Sequence, residues 1–271
     1  MKVILFTNAR DEKHIKEWVA HHLNLGFDFI HIFDHKSIEP IISQFKPNPK
    51  LNIKRIDYTI DLFKESLMMK AKDIAIKDSY DWMLYLDADE FLVLNQHNTI
   101  QELLETYKEY NQVGFNWLVF GSNYLTTEPD GMILENYIRC NSSLNMRIKT
   151  FVRPETIVST KSPHAYQTNN MKISINGITN KPLIAEHPYH YPLPDIMYIN
   201  TPAYVAHYMY QSYDIYSLRK VVLPRDDYGK GTAYRPTIKE EDLHSSKDNQ
   251  IINISIRDKY CEKNMDLIKE L

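Results

Sequence analysis

Trp82-Met83-Leu84-Tyr85-Leu86-Asp87-Ala88-Asp89-Glu90-Phe91 is an apolar run that breaks into three carboxylates within four positions. Its opening residues suit a parallel strand covered on both faces, and open α/β sheets bind ligands beyond the carboxyl ends of such strands. The acids therefore stand where chemistry is expected. In extended geometry Asp87 and Asp89 point the same way about 7 Å apart, at about 3.3 Å rise per residue, and a turn lets both approach one cation. Carboxylates this close repel one another. A hard divalent ion shared with a diphosphate relieves that, because Mg²⁺ or Mn²⁺ takes one or two protein carboxylates plus phosphate oxygens. A solvated acidic turn is the plain alternative for a bare D-x-D; the preceding strand and the following Glu90-Phe91 weigh toward function.

Outward from this strand, the first 120 residues alternate strand and helix patterns. Residues 2–6 form a short apolar strand. Asp11 is placed to cap a helix carrying Ile15, Trp18, Val19, His22 and Leu23 at helical spacing, which Gly26 ends. Residues 29–33 read as the next strand, stopping at Asp34, and 51–56 as a third. The span 62–78 puts Leu67, Ala71, Ile74 and Ala75 on one helical face. After the Trp82 strand come a helix around 100–107 and a strand over 113–120. This alternation predicts an α/β fold with a mostly parallel central sheet and helices on both faces. Beyond Gly121 the pattern loosens into strand-like pieces at 132–138, 147–152 and 172–175. An irregular stretch over 182–202 is crowded with Pro, Tyr and His, and helical character returns at 212–222 and 258–271. No internal repeat or low-complexity linker divides the chain, so 1–271 is expected to be one domain.

Composition removes several classes. A 43% apolar content over 271 residues is ample for a core, and a net charge of -3 with no basic run gives no footprint for nucleic acid. Only 7 glycines are present, with neither G-x-G-x-x-G nor G-x-x-x-x-G-K-[ST], so the dinucleotide and P-loop readings lack their backbone. Cys140 and Cys261 form no C-x-x-C motif, and two free thiols suit a reducing compartment. His187 and His190 form an H-x-x-H beside prolines, without the helical H-E-x-x-H of a zinc site. The apolar run at 3–6 is too short for a signal peptide, and no run of about 18 apolar residues occurs. The expectation is a cytoplasmic protein, at most peripheral to a membrane, with no transmembrane segment.

Read in order, Arg10-Asp11-Glu12, Ile15, Glu17-Trp18, His22, Gly26-Phe27-Asp28, Phe33-Asp34-His35-Lys36-Ser37 and Leu86-Asp87-Ala88-Asp89-Glu90-Phe91 form a recognisable series. It continues through Trp117-Leu118-Val119-Phe120-Gly121-Ser122, Lys149 to Arg153-Pro154, His164, and His207-Tyr208 with Ser212. The series resembles the glycosyltransferase family 92 group and its family 2-like relatives, across roughly residues 1 to 225. The group often has Lys-Asn-Glu at Arg10-Asp11-Glu12 and Asp-Asn at Asp34-His35. It commonly has Lys at Gln211, so here a phosphate-binding cation must come from elsewhere, Lys220 being one source.

The resemblance implies a GT-A (Rossmann-like) fold acting on a nucleoside-diphosphate sugar donor, with 1–120 the nucleotide-sugar half. Residues 121–225 would then complete the metal and acceptor sites, and 226–271 would be a helical extension. It assigns Asn8, Ala9, Arg10, Glu12 and Asp34, with Asp87 and Ala88, to the nucleotide-sugar. A carboxylate such as Asp34 can accept hydrogen bonds from ribose hydroxyls, although the same residue suits a turn before Ser37. Asp89 and Asp87 are the metal ligands, with His207 the third. An imidazole favours Mn²⁺ over Mg²⁺; the competing reading of His207 is a buried ring in a Tyr-rich stretch.

Trp117, Gly121, Ser122 and His164 are the acceptor candidates, although a core aromatic is the stronger reading of Trp117. Asp130 and Glu186, both in loops, are the base candidates, or surface acids. The resulting reading is a metal-dependent, inverting transferase that uses a UDP-linked sugar and a glycan or other hydroxyl acceptor. Two alternatives stand beside it: a nucleotide-sugar or glycan-binding module without catalysis, and a metal-dependent phosphoesterase, which would want more converging carboxylates.

Overall fold

The computed structural model describes residues 1–58, 62–183, 196–222, 237–245 and 247–271. In chain order its elements are β1 (Val3–Ala9), α1 (Ile15–Asn24), β2 (Phe29–His35), β3 (Leu51–Ile56), α2 (Phe63–Lys77), β4 (Trp82–Tyr85), β5 (Glu90–Leu94), α3 (Ile100–Glu105) and β6 (Gln112–Val119). There follow α4 (Ile133–Asn136), β7 (Arg139–Cys140), β8 (Ile148–Val152), β9 (Ile157–Ser162), β10 (Ala165–Thr168), β11 (Ser174–Asn176) and β12 (Ala203–His207). The chain closes with α5 (Tyr213–Tyr216), α6 (Glu240–His244), β13 (Ile251–Ile252) and α7 (Ser255–Glu270).

A nine-stranded sheet runs β3-β2-β1-β4-β8-β6-β12-β5, with β11 also beside β6. Strands β3, β2, β1, β4, β6, β11 and β12 share one direction; β8 and β5 oppose it. The mostly parallel sheet expected of a GT-A fold is therefore present. It is covered on both faces, and the alternation along the strands shows how. Val3 and Leu5 of β1 and Trp82 and Leu84 of β4 enter one core with α1, α3 and α7. Ile4, Phe6, Met83 and Tyr85 enter a second core with Phe63, Leu67, Met68, Ala71 and Ala75 of α2. Successive side chains of a strand point to opposite faces, so an unbroken apolar run needs a layer on each side.

Several local expectations are corrected. Asp11 does not cap α1: it sits at φ 49°, its carboxylate accepts from the Ile38 N–H at 2.6 Å, and its own N–H donates to Ser37 Oγ. The strand expected at 132–138 is instead the short helix α4, followed by β7. Glu17 decides this, since its carboxylate accepts from the backbone N–H groups of Ile133 and Leu134 and so caps the helix. Strand β5, directly after the acidic turn, was not expected. The last part of the chain is more than a helical extension, because β13 pairs with β7 and α7 lies along α1. Gly26, at φ 98°, ends α1 as expected.

Candidate active site

β1, β2 and β4 run parallel and end at one edge of the sheet, where Leu86 donates its backbone N–H to the Phe6 carbonyl. The chain then turns through Asp87-Ala88-Asp89 into β5. Glu90 builds that turn: its Oε2 accepts from the Asp87 N–H at 2.8 Å, and its own N–H donates to the Asp87 carbonyl at 3.0 Å. Two inserted strands then matter. β8 enters from the opposite direction, so its second residue, Lys149, arrives at the carboxyl edge of β4. β12 runs between β6 and β5, with His207 in register with both Val119 and Glu90, and Tyr208 donates its N–H to the Asp89 carbonyl at 2.9 Å.

Each acid of the turn meets a cation. Lys149 Nζ lies 3.3 Å from Asp87 and 3.2 Å from Glu90, and Lys64, from the first turn of α2, pairs with the other oxygen of Asp87. Arg219, from the π-helical turn Ser217–Val222, puts Nη2 3.0 Å from Asp89 Oδ2 and 3.4 Å from Glu12 Oε2. His207 Nε2 is 3.5 Å from Asp89 Oδ1, and its ring packs edge-on against Trp117 at 4.3 Å.

Burial acts on these charges in opposite directions. It would push the Asp87 carboxyl up, but Lys149 and Lys64 outweigh it and hold Asp87 well below the usual carboxylate range. For Glu12 and Glu90 burial prevails over Arg219 and Lys149 respectively, and both carboxyls are raised. Burial opposes the charge of Arg219 too, yet Glu12 and Asp89 keep its pKa above the ordinary arginine value. Two nitrogens of this cluster, His207 Nδ1 and Arg219 Nη1, are buried without a hydrogen-bond partner among the described residues.

Among the described residues no group of three or more His, Cys, Asp or Glu side chains forms a ready metal cage. Asp89 Oδ1 and His207 Nε2 nevertheless suit a divalent ion between them. Two donor atoms 3.5 Å apart can share an ion at ligand distances of about 2.1 Å, leaving the other positions to phosphate oxygens and water. Asp87 faces two ammonium groups instead, which fits a hydrogen-bonding carboxylate better than a direct ligand.

The other expected residues are placed as follows. Asn8 accepts from the Tyr85 hydroxyl at 3.1 Å, Ala9 and Ala88 are buried, and Arg10 reaches across to the His35 carbonyl and ring. Asp34 is buried, with its oxygens on the Ser37 and Ile41 N–H groups and on Arg55, so it holds the turn after β2; that does not suit the ribose contact expected of it. Trp117 is a buried aromatic between His207 and His164.

His164 is also buried, bonded to the Ile148 carbonyl and to Arg147, and burial with the nearby Lys149 and Arg147 lowers its pKa to about 2. Ser122 is fully buried against His244, Asn249 and the Tyr124 N–H, which does not suit an acceptor contact. Gly121 abuts the segment before β13, where an added Cβ would come within 2.7 Å of the Asp248 carbonyl. Asp130 is exposed in the loop before α4. Glu186, His187 and His190 lie outside the described residues, as does the side chain of Lys220.

Lys64 and Arg219 escaped the reading of the sequence, and Lys149 had no role in it. A signal existed only for Lys149: a lone lysine in Ile148-Lys149-Thr150-Phe151-Val152 marks a buried cation that requires a partner.

Comparison with known proteins bears on this arrangement. A glycosyltransferase family 92 protein of Arabidopsis thaliana is 21% identical over 220 residues, 76% of this chain and 34% of its own length. One from Oryza sativa subsp. japonica is 24% identical over 149 residues, 53% of this chain and 25% of its own. The chain thus spans a quarter to a third of the length of these relatives. Among solved structures, a UDP-glucose pyrophosphorylase complexed with UDP-glucose is 8% identical, with a TM-score of 0.36 over 58% of this chain and 78% of that one. HddC from Yersinia pseudotuberculosis is also 8% identical, with a TM-score of 0.36 over 63% and 84%. Both are too distant to bear on activity. No helix among the described residues is long and apolar enough to cross a membrane. The family model for glycosyltransferase family 92 matches residues 4–189, a stretch that includes β1, the acidic turn and Lys149, and the chain belongs to that family.

Proposed function

We propose that the chain moves a sugar from a UDP-linked donor to a hydroxyl of a glycan or similar acceptor, with a divalent ion, Mn²⁺ or Mg²⁺, and with inversion at the sugar carbon. The observation that carries this reading is convergence. Glu12, Asp87 and Asp89 meet Lys64, Lys149, Arg219 and His207 at one carboxyl edge of the sheet. A sugar diphosphate brings negative charge to be neutralised and hydroxyls to be oriented, and the cluster offers groups for both.

Asn8, Ala9, Arg10 and Glu12 are assigned to the nucleoside. An ion between Asp89 and His207 supplies positive charge to the departing diphosphate. Asp87, kept ionised and 28% exposed, accepts hydrogen bonds from donor hydroxyls. These charges are fixed before donor arrives, so little reorganisation accompanies bond cleavage. The acceptor's proton passes to a carboxylate on the face opposite the leaving group, for which Asp130 is the described candidate.

The test is release of nucleoside diphosphate from a panel of UDP- and GDP-sugars with Mn²⁺ and simple glycan acceptors. Release that stops with EDTA and falls at least about a hundredfold with Asp89→Ala supports the reading. A folded sample that releases no nucleoside diphosphate from any donor removes it.

A further inference from the structure

The cations around the acidic turn each meet an acid: Lys64 and Lys149 meet Asp87, Lys149 also meets Glu90, and Arg219 meets Glu12 and Asp89. Arg147 does not. It stands just before β8, two residues from Lys149, and side chains so spaced along an extended segment project from the same face about 7 Å apart. The Trp117 N–H donates to its carbonyl at 2.9 Å, which holds the segment beside β6 at the carboxyl edge of the sheet. Its Nη1 lies 3.2 Å from His164 Nε2, and among the described residues its side chain meets no acid.

His164 decides what that contact is. Its Nδ1 donates to the Ile148 carbonyl at 3.1 Å, so Nε2 carries the lone pair and accepts from Arg147 Nη1. Burial, with the charges of Lys149 and Arg147, keeps the ring neutral, so it orients the guanidinium without cancelling its charge. With Nη1 engaged, Nε and Nη2 remain, the parallel pair of N–H groups that matches the two oxygens of a carboxylate. Neither nitrogen is closed off from solvent, and the residue is only partly buried, so a ligand reaches both. Lys64 and Asp87 also act on His164, which puts this fork beside the carboxylate proposed for the donor hydroxyls.

We propose that Arg147 recognises a carboxylate on a sugar held beside the acidic turn, so that one of the two substrates is a uronic acid or a similarly acidic sugar. The inference rests on the transferase reading above and deepens it. The carboxylate belongs either to the donor's sugar or to the acceptor's, and the same fork serves both. Without such a fixed cation, a second anion next to Asp87 would be repelled.

The experiment compares matched sugars in wild type, Arg147→Gln and Arg147→Lys with Mn²⁺, and melting curves report folding. In the donor arm, UDP-glucuronate is titrated against UDP-glucose and UDP-galacturonate against UDP-galactose. In the acceptor arm, UDP release from these donors is followed with methyl glucuronide and methyl galacturonide against methyl glucoside and methyl galactoside. In one arm wild type is expected to prefer the acidic member at least about tenfold, and that arm names the source. The preference should fall to within about twofold in Arg147→Gln, with UDP affinity unchanged, and should survive in part in Arg147→Lys, which keeps the charge without the fork. Wild type that binds UDP but prefers the acidic sugar in neither arm overturns this inference alone. So does a preference that persists in Arg147→Gln, or an equal loss of UDP and acidic sugar, which marks a structural role. If Arg147→Gln does not fold, Arg147→Lys decides, and full retention of the preference there overturns the proposal. Wild type that neither binds nor releases UDP overturns the transferase reading itself, and this inference with it.

Discussion

Asp89 divides its carboxylate between two distant parts of the chain, with Oδ1 3.5 Å from His207 Nε2 and Oδ2 3.0 Å from Arg219 Nη2. The first contact comes from strand pairing, because β12 lies between β6 and β5; the second comes from a helical turn beyond α5. One residue thus ties the acidic turn to both C-terminal contributors.

His207→Ala removes one of two protein donors to the proposed ion. The Mn²⁺ concentration giving half-maximal binding is expected to rise at least about tenfold, with the melting temperature little changed. Electron paramagnetic resonance of unbound Mn²⁺, with UDP present, measures it; unchanged affinity removes His207 from the ligand set.

Lys149→Met leaves Asp87 without one partner and Glu90 buried beside an apolar group, since Lys149 is 1% exposed and Glu90 fully buried. Removing one partner of a buried pair destabilises by about 3–5 kcal/mol. The double variant Lys149→Met with Glu90→Gln should lose less, because the stranded charge is gone. Urea denaturation midpoints of the three proteins decide the matter, and a double variant no more stable than the single would show that Glu90 is not the stranded group.

Acid should destabilise the fold. Burial lowers the pKa values of His21 and His31 to about 4, so the unfolded chain takes up their protons first and stability is lost as pH falls from about 6.5 toward 4. Each contributes up to about 3 kcal/mol. Glu17 acts in the opposite sense: burial raises its carboxyl to about 7, so its contribution is complete below about 4.5 and is lost as pH rises to 7. His22 and His164, also lowered by burial, act with His21 and His31, and together they outweigh Glu17 with the raised Glu12 and Glu90. The melting temperature is expected to drop between pH 7 and pH 5, more steeply in Glu17→Gln and less steeply in His31→Gln.

Gly121→Ala tests the contact between the end of β6 and the segment before β13. The added Cβ would meet the Asp248 carbonyl at 2.7 Å and Asn249 Cγ at 2.6 Å, so the segment must shift. A loss of about 1–3 kcal/mol is expected, read by thermal or urea unfolding.

The strands, the helices on both faces and the position of the acidic turn were legible locally. Apolar runs at 3–6, 29–33 and 82–86 can be buried only in a sheet covered on both sides, and carboxylates that end such a run fall at its carboxyl edge. The sequence by itself thus determined the α/β class, the placement of Asp87 and Asp89, and the family. Tertiary structure decided which cations meet those acids. Lys64, Lys149, His207 and Arg219 reach one turn because β8 and β12, later in the chain, insert among β4, β5 and β6, α2 starts at the same edge and the chain returns after α5. Ion pairing carries no periodic trace along a chain. The tertiary structure also gives Asp34 and Ser122, whose residue types allow either a ligand contact or a turn, buried hydrogen-bond partners within the fold.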